Sequence, residues 1–157
     1  TESGQMLTII LMLIGGSPGS TAGGMKTTTL AVLTATAVSV FRRNENPELF
    51  KRRIAPETVA NAASILMMYL SLCLTGAFLI SRIEELPMMA CMFETASAVG
   101  TVGLSFGITP GLGSISRIIL IILMYLGRVG GLTLIYAALS GHRIRFGKYP
   151  LEKITVG

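Results

Sequence analysis

The chain has 157 residues, of which 51% are hydrophobic and 13% are charged. Soluble domains carry about 25% charged residues, so the composition argues against a soluble protein and favours a membrane protein. The formal net charge of +5 does not indicate nucleic-acid binding, because the basic residues cluster at the ends of apolar segments. Basic flanks of that kind set the orientation of a chain in the bilayer.

The first apolar segment, residues 6–14, is interrupted by a Gly-rich break and followed by helix-compatible residues from 27 to about 41. Gly and Pro in the break disfavour a helix through backbone entropy and a missing N–H donor. Residues 1–41 therefore read as a broken transmembrane helix. Irregular backbone at membrane depth persists only where protein or a water-filled cavity satisfies its polar groups, so residues 15–26 are predicted to form an intramembrane loop.

A basic segment and a long apolar segment come next. Residues 41–54 contain five Lys or Arg against two Glu, and the positive-inside rule predicts that the loop at 42–57 is cytoplasmic. Residues 58–81 carry no charge. A bilayer core about 30 Å thick needs roughly 20 apolar residues of helix, so a first unbroken span is predicted at about 61–80.

The apolar stretch at 86–97 is too short to span a membrane, and Gly-rich sequence follows it. It predicts a re-entrant segment, with a half-helix entering the membrane and a loop leaving it. A second span is predicted at 118–140, followed by a basic cytoplasmic tail at 141–157. The predicted fold is therefore an all-α membrane protein, in which a span–pore-loop–span repeat at 58–140 follows the broken helix.

The pore loop contains the tripeptide Thr101-Val102-Gly103 directly after the predicted half-helix. A potassium selectivity filter replaces the hydration shell of the ion with backbone carbonyls, which requires small residues and glycine in an extended segment. The tripeptide in this position predicts such a filter. The alternative is an ordinary Gly-rich turn between two spans.

Arg128 lies near the centre of the second predicted span. A charged residue at that depth costs about 2.5–3.5 kcal/mol on insertion scales and is usually functional. An unwound helix frees its carbonyls from intrahelical hydrogen bonds, so we predict that Arg128 donates to carbonyls of the intramembrane loop and holds it across an ion pathway. Lys26 is predicted to add a second positive charge there. The alternative for Arg128 is a structural ion pair with Glu94.

Two other functional classes fit parts of the sequence. Residues 19–27 nearly match a phosphate-binding loop, with one residue too many between the glycine and Lys26, and they support a membrane-bound nucleotide-binding protein as an alternative. The chain contains no Asp to serve as the usual magnesium ligand. The GxxxG spacings at Gly15/Gly19 and Gly127/Gly131 are typical of close helix packing, which supports a plain membrane anchor.

Four motifs in order resemble the Ktr-type pore subunits of the Trk/Ktr/HKT superfamily. They are IGGSPGSTAGGMKTTT at 14–29, FETASAVGTVGLSFGIT at 93–109, MYLGRVGGLTL at 124–134 and YPLEKITVG at 149–157. The resemblance implies four span–pore-loop–span repeats around one pore. This chain would supply the second span of the third repeat and the whole fourth repeat, and such a fragment alone is not expected to conduct.

The resemblance also implies roles for individual residues. The filter backbone would be formed by Thr101, Val102 and Gly103. The gate would comprise the intramembrane loop and the arginine facing it: Gly15, Gly16, Ser17, Gly19, Ser20, Thr21, Gly23, Gly24, Lys26 and Arg128.

By the same resemblance, the parent protein would transport potassium, with sodium as a second candidate, as a multi-pass protein of a bacterial plasma membrane. The implied partners are the remaining repeats, a second copy of the subunit contacted through the C-terminal tail, a cytosolic ring of nucleotide-binding regulatory subunits, and lipid. No organic cofactor, bound metal other than potassium at the filter, or nucleic-acid partner is expected. Because no residue indicates covalent chemistry, no enzymatic activity is expected.

Overall fold

The computed structural model describes residues 1–43, 47–49 and 52–130. Within these residues the chain is mostly helical, as predicted. The helices are α1 (Glu2–Leu13), α2 (Thr27–Phe41), α3 (Pro56–Glu84), α4 (Met88–Gly100) and α5 (Ser114–Val129). Two short antiparallel strands, β1 (Glu48–Leu49) and β2 (Arg52–Arg53), lie between α2 and α3.

Helix α3 is long and apolar enough to cross a membrane. Its 29 residues give a length of about 44 Å at 1.5 Å per residue, which exceeds the hydrocarbon thickness of about 30 Å. The helix begins at Pro56, since proline suits a first helical turn. It ends before Glu85, which adopts a left-handed conformation with a φ of 54°. The span predicted at 61–80 is helical and extends further at both ends.

The break between α1 and α2 is closed at its base. Gly15 N donates to Met25 O at 2.6 Å, and Met25 N donates to Leu13 O at 3.2 Å, so Ile14 and Met25 pair as an isolated parallel bridge. A Cβ on Gly15 would lie 2.1 Å from the carbonyl oxygen of Gly23, and only glycine fits there. With 12 and 15 residues, α1 and α2 are about 18 and 22 Å long, too short to span a bilayer singly.

Helix α4 is the half-helix predicted for the re-entrant segment and forms the centre of the packing. It is about 20 Å long at 13 residues, and α1, α3 and α5 all pack against it. Every residue from 93 to 100 is buried. Cys91 and Cys73 are also buried in this core as free thiols, and they pack as small hydrophobic residues.

Helix α5 approaches α4 closely and, within the described residues, runs from Ser114 to Val129. A Cβ on Gly127 would lie 2.0 Å from the carbonyl oxygen of Val99, so the two backbones are almost in contact, as the GxxxG spacing indicated. The helix begins at Ser114 and ends at Val129, because Gly130 takes a φ of 88° that glycine alone adopts without strain. Arg128 therefore lies in the last turn of α5. The rest of the predicted span, the cytoplasmic tail and Gly131 lie outside the described residues.

Candidate functional site: the intramembrane loop and the pore loop

Residues 15–26, the intramembrane loop, hold their shape through hydrogen bonds to their own backbone. Ala22 N donates to Ser20 Oγ at 3.0 Å. The ammonium group of Lys26 donates to the carbonyls of Ala22 at 2.6 Å and Ser20 at 3.3 Å. These bonds hold the Lys26 ammonium group at the loop. Since the carbonyls are neutral, its positive charge remains, and its effect on an ion pathway stays a prediction.

Arg128 contacts the intramembrane loop. Its Nη1 donates to the carbonyl oxygen of Thr21, which is the kind of contact predicted from the cost of a charge at membrane depth. The position also suits a cation locally, because the C-terminal end of a helix carries a partial negative charge. The alternative ion pair with Glu94 is absent from the described residues, since both oxygens of Glu94 accept hydrogen bonds from the pore loop instead.

The predicted filter residues follow directly on the C-terminal end of α4. Thr101 N donates to Ala98 O at 3.1 Å and Val102 N to Ser97 O at 3.0 Å, which satisfies carbonyls of the last helical turn. Thr101 has a φ of 54° and Gly103 a φ of 86°. From Val102 onward the chain leaves the helix as an irregular, exposed segment. This is the half-helix and loop that the sequence predicted.

Glu94 anchors the returning part of the pore loop, residues 101–113, to the half-helix. Its carboxylate is 5% exposed and accepts from Ser105 Oγ at 2.6 Å, Phe106 N at 3.0 Å and Thr109 Oγ1 at 2.8 Å. The ring of Phe106 stacks on that of Phe93, with centroids 3.8 Å apart. Glu94 therefore fixes the returning part of the pore loop against the half-helix.

The intramembrane loop, the pore loop and Arg128 meet at one place. Gly23 N donates to Thr101 Oγ1 at 3.0 Å, which brings the loop against the end of α4. A cavity of about 530 Å³ lies between the pore loop and α5, and Glu94, Thr101, Gly103 and Arg128 contribute to its lining. The tip of the intramembrane loop at 17–20 is exposed.

Some contacts of the site were not predicted from sequence. The hydroxyl of Tyr69 donates to Gly127 O at 3.3 Å. A tyrosine hydroxyl within an uncharged span was the sequence feature that could have predicted this contact. Glu84, at the end of α3, accepts from Gly113 N at 2.8 Å and Ser116 Oγ at 2.5 Å. Glu84 thereby satisfies one of the backbone N–H groups that the start of α5 leaves unpaired. An acidic residue at the end of one predicted span, shortly before the next, was the sequence signal for this contact.

Comparison with known proteins identifies the family. A family model described as TrkH, cation transport protein, matches residues 1–143. The chain is 40% identical to the potassium/sodium uptake protein NtpJ of Enterococcus hirae, over 100% of this chain and 36% of that protein. It is 34% identical to the Ktr system potassium uptake proteins B of Bacillus subtilis, over 99% of this chain and 35% of that protein, and of Vibrio alginolyticus, over 100% and 34%.

The chain thus spans about a third of the length of the curated relatives it matches. Its match to the family model covers the intramembrane loop, the half-helix, the pore loop and Arg128 alike. The chain therefore belongs to the TrkH family of cation transport proteins.

Proposed function

We propose that this chain is part of the pore-forming subunit of a potassium uptake transporter, with sodium as a second candidate ion. One observation carries the proposal beyond family membership. The half-helix α4 ends at Thr101-Val102-Gly103, and the intramembrane loop lies directly across that end through Gly23. A cation pathway along the end of α4 would therefore meet first the filter residues and then the loop.

The filter function rests on the direction and ending of α4. The C-terminal end of a helix carries a partial negative charge, which favours a cation at the segment from Thr101 to Gly103. Since Gly103 has a φ of 86°, it turns the backbone in a way that side chains oppose. Carbonyls of these three residues, with those of the other repeats, would replace the water of a potassium ion.

The gate function rests on Arg128 and the intramembrane loop. The hydrogen bond from Arg128 to Thr21 O holds the loop to the end of α5, and the positive charge repels a cation beside the filter. Lys26 keeps the loop compact by binding the carbonyls of Ser20 and Ala22. Ion passage would require the Arg128 contact to break and the loop to move as a unit.

The wider setting is proposed from the same resemblance. The protein would lie in a bacterial plasma membrane, with the basic hairpin around β1 and β2 and the C-terminal tail in the cytoplasm. Partners would be the remaining repeats, a second pore subunit, a cytosolic ring of nucleotide-binding subunits and lipid. The transporter would have no enzymatic activity and need no organic cofactor.

The nucleotide-binding alternative has less support from the geometry. A phosphate-binding loop follows a strand and points free backbone N–H groups at the phosphate. Here helix α1 precedes the loop. The N–H groups of Ser20, Ala22, Gly23 and Met25 all donate to acceptors within the protein, and the Lys26 ammonium is bound to loop carbonyls.

Rubidium uptake through a complete transporter containing these residues tests the proposal. Arg128→Ala and a deletion of residues 17–22 should each raise the uptake rate, because each weakens the same barrier. The double variant should exceed the stronger single variant by little, since changes to one shared interaction are not additive.

Arg117→Ala is the matched control. Arg117 is also on α5 and donates to a carbonyl, that of Pro110, at 2.7 Å, but at the opposite end of the helix from the intramembrane loop. It should leave the uptake rate near that of the unmodified transporter. Multiplicative effects of Arg128→Ala and the deletion, or loss of uptake in well-folded Arg128→Ala protein, would contradict the gate.

A further inference from the structure

The side chain of Thr101 joins two parts of the site that are far apart in sequence. Its Oγ1 accepts a hydrogen bond of 3.0 Å from the backbone N–H of Gly23, 78 residues earlier in the chain. Two residues before Gly23, Thr21 offers its carbonyl to Arg128. The intramembrane loop is therefore held at neighbouring points, by α5 through a carbonyl and by the pore loop through an N–H group.

Thr101 occupies a backbone conformation that its residue type disfavours. Its φ of 54° lies in the left-handed region, where a β-branched residue is a genuine outlier. Glycine is the usual residue at the end of a helix in that conformation. Strain of this kind persists where the surroundings hold it and concentrates at functional sites, so the hydroxyl of Thr101 is the feature that glycine would lack.

Gly23 fits against Thr101 with no space for a side chain. A Cβ on Gly23 would lie 2.3 Å from Thr101 Oγ1 and 2.7 Å from Thr101 Cγ2. Gly23, Gly24 and Met25 are all buried, so this half of the loop is packed, whereas the tip at 17–20 is exposed. The contact thus requires both residues as they are: Thr101 supplies the hydroxyl, and Gly23 leaves the space that any side chain would fill.

We propose that Thr101 is a positioning residue whose hydroxyl couples the intramembrane loop to the inner end of the filter. This inference rests on the proposed function of the chain as part of a cation pore. While Gly23 N–H points at Thr101 Oγ1, the positive end of that bond opposes a cation beside the same oxygen. When the loop leaves, the oxygen becomes available to the cation.

The coupling works in both directions by thermodynamic linkage. If displacement of the loop raises the affinity of the Thr101 position for a cation, then a bound cation favours displacement of the loop by the same factor. Potassium at the filter would therefore loosen the intramembrane loop, in addition to passing through it. A plain filter residue above an independent gate would show no such effect.

The test places a reporter thiol at Ser17, on the exposed tip of the loop, in the complete transporter. Cys73 and Cys91 are buried, and the transporter without Ser17→Cys measures background labelling. The rate of reaction with a soluble thiol reagent is compared in potassium chloride and choline chloride at equal ionic strength. Potassium should raise the rate several-fold, towards the lower end of the roughly 5- to 150-fold range of coupled sites.

Variants at Thr101 separate coupling from packing. Thr101→Val keeps the shape and loses the acceptor, so labelling should be fast in both salts and insensitive to potassium. Thr101→Ser keeps the hydroxyl and should retain the potassium effect. Gly23→Ala forces the loop off Thr101 and should match Thr101→Val. Thr75→Val, which removes a hydroxyl bonded within α3 to Ser71 O, is the control and should behave as the parent does.

The outcomes are distinct. A potassium effect in Thr101→Val or in Gly23→Ala equal to that of the parent overturns the coupling, even when Arg128→Ala still raises rubidium uptake. Loss of the potassium effect in Thr101→Ser would also overturn it, because the hydroxyl would then be irrelevant. If the parent transports no rubidium and its labelling ignores potassium, the proposed function fails together with this inference.

Discussion

Gly103 is the residue at which the predicted filter depends most directly on backbone geometry. Its φ is 86°, and no atom lies within 4 Å of a Cβ built on it. A side chain at this position would therefore strain the backbone without clashing with its neighbours. The sequence predicted the importance of this glycine from the convergence of carbonyls, and the structure adds the conformational reason.

Gly103→Ser in the complete transporter should lower rubidium uptake at limiting concentration and the preference for rubidium over sodium. Strain of about 1–2 kcal/mol for a non-glycine residue in the left-handed region would shift the carbonyls on either side. Gly111→Ser is the control, since Gly111 is exposed, has no close neighbour and needs no positive φ. Unchanged uptake and preference in normally expressed Gly103→Ser protein would mean that this loop is not the filter.

Glu94 fixes the shape of the pore loop by accepting three hydrogen bonds from one buried carboxylate. Glu94→Ala should sharply reduce the preference for rubidium over sodium, because hydrogen bonds to a charged group contribute about 1.5–3 kcal/mol each. Glu94→Gln should have a milder effect. Its amide oxygen still accepts from Ser105 and Phe106, and its NH₂ group can donate to Thr109 Oγ1. Equal losses in the two variants would indicate that the charge itself matters, as a vestibule carboxylate would require.

At the scale of the helices, the close approach of the two backbones at Gly127 and Val99 determines how α5 packs against α4. Gly127 faces the Val99 carbonyl, and a methyl group there would lie 2.0 Å from that oxygen. Since the obstacle is backbone, neither neighbour relieves the clash by changing a rotamer. The same turn of α5 carries Arg128 and receives the Tyr69 hydroxyl on Gly127 O, so a shift at Gly127 also moves the arginine.

Gly127→Ala should destabilise the complete transporter by about 1–3 kcal/mol, the usual cost of overpacking. The thermal midpoint of the purified protein in detergent would measure this loss. Gly111→Ala meets no atom within 4 Å and should leave the midpoint unchanged. A Gly127→Ala midpoint equal to that of Gly111→Ala would show that α5 does not approach α4 as closely as described.

At the scale of the whole chain, large apolar side chains remain uncovered. On α5 alone, Ile115, Ile118, Ile121 and Tyr125 are each more than half exposed. Soluble monomers rarely expose contiguous apolar areas of this kind, and lipid or other protein segments must cover them. The exposed pore-loop residues Val102 and Leu104 fit the same requirement.

The orientation in the membrane of the segment from α3 through the pore loop to α5 can be measured with cysteine labels in intact cells. Gly111→Cys, in the exposed turn before α5, should react with an impermeant thiol reagent added outside. Arg42→Cys, at the end of α2, should react only after the membrane is permeabilised, because its basic segment is predicted to be cytoplasmic. Reaction of both positions from the same side would contradict the re-entrant arrangement of α4 and the pore loop.

The sequence by itself determined where the chain is helical, where the first helix breaks and where a helix is too short to cross a bilayer. These features depend on local properties: apolar length against bilayer thickness, and glycine and proline against helix. The apolar helix predicted at 6–14 (observed at 2–13), the helix at 27–41, the long helix around 61–80 and the half-helix before Thr101 followed from them. The contact of Arg128 with the intramembrane loop also followed, because an arginine in an apolar segment requires acceptors.

The tertiary structure alone decided which atoms meet. Arg128 and Thr21 are 107 residues apart, and Gly23 and Thr101 are 78 apart, so no local pattern specifies either pair. Lys26 turned back to the carbonyls of its own loop, because they lie within its reach once the base of the loop closes. Glu94 paired with the returning pore loop. Each of these outcomes depends on how segments distant in sequence pack around α4, since a hydrogen bond needs two partners within about 3 Å and in line.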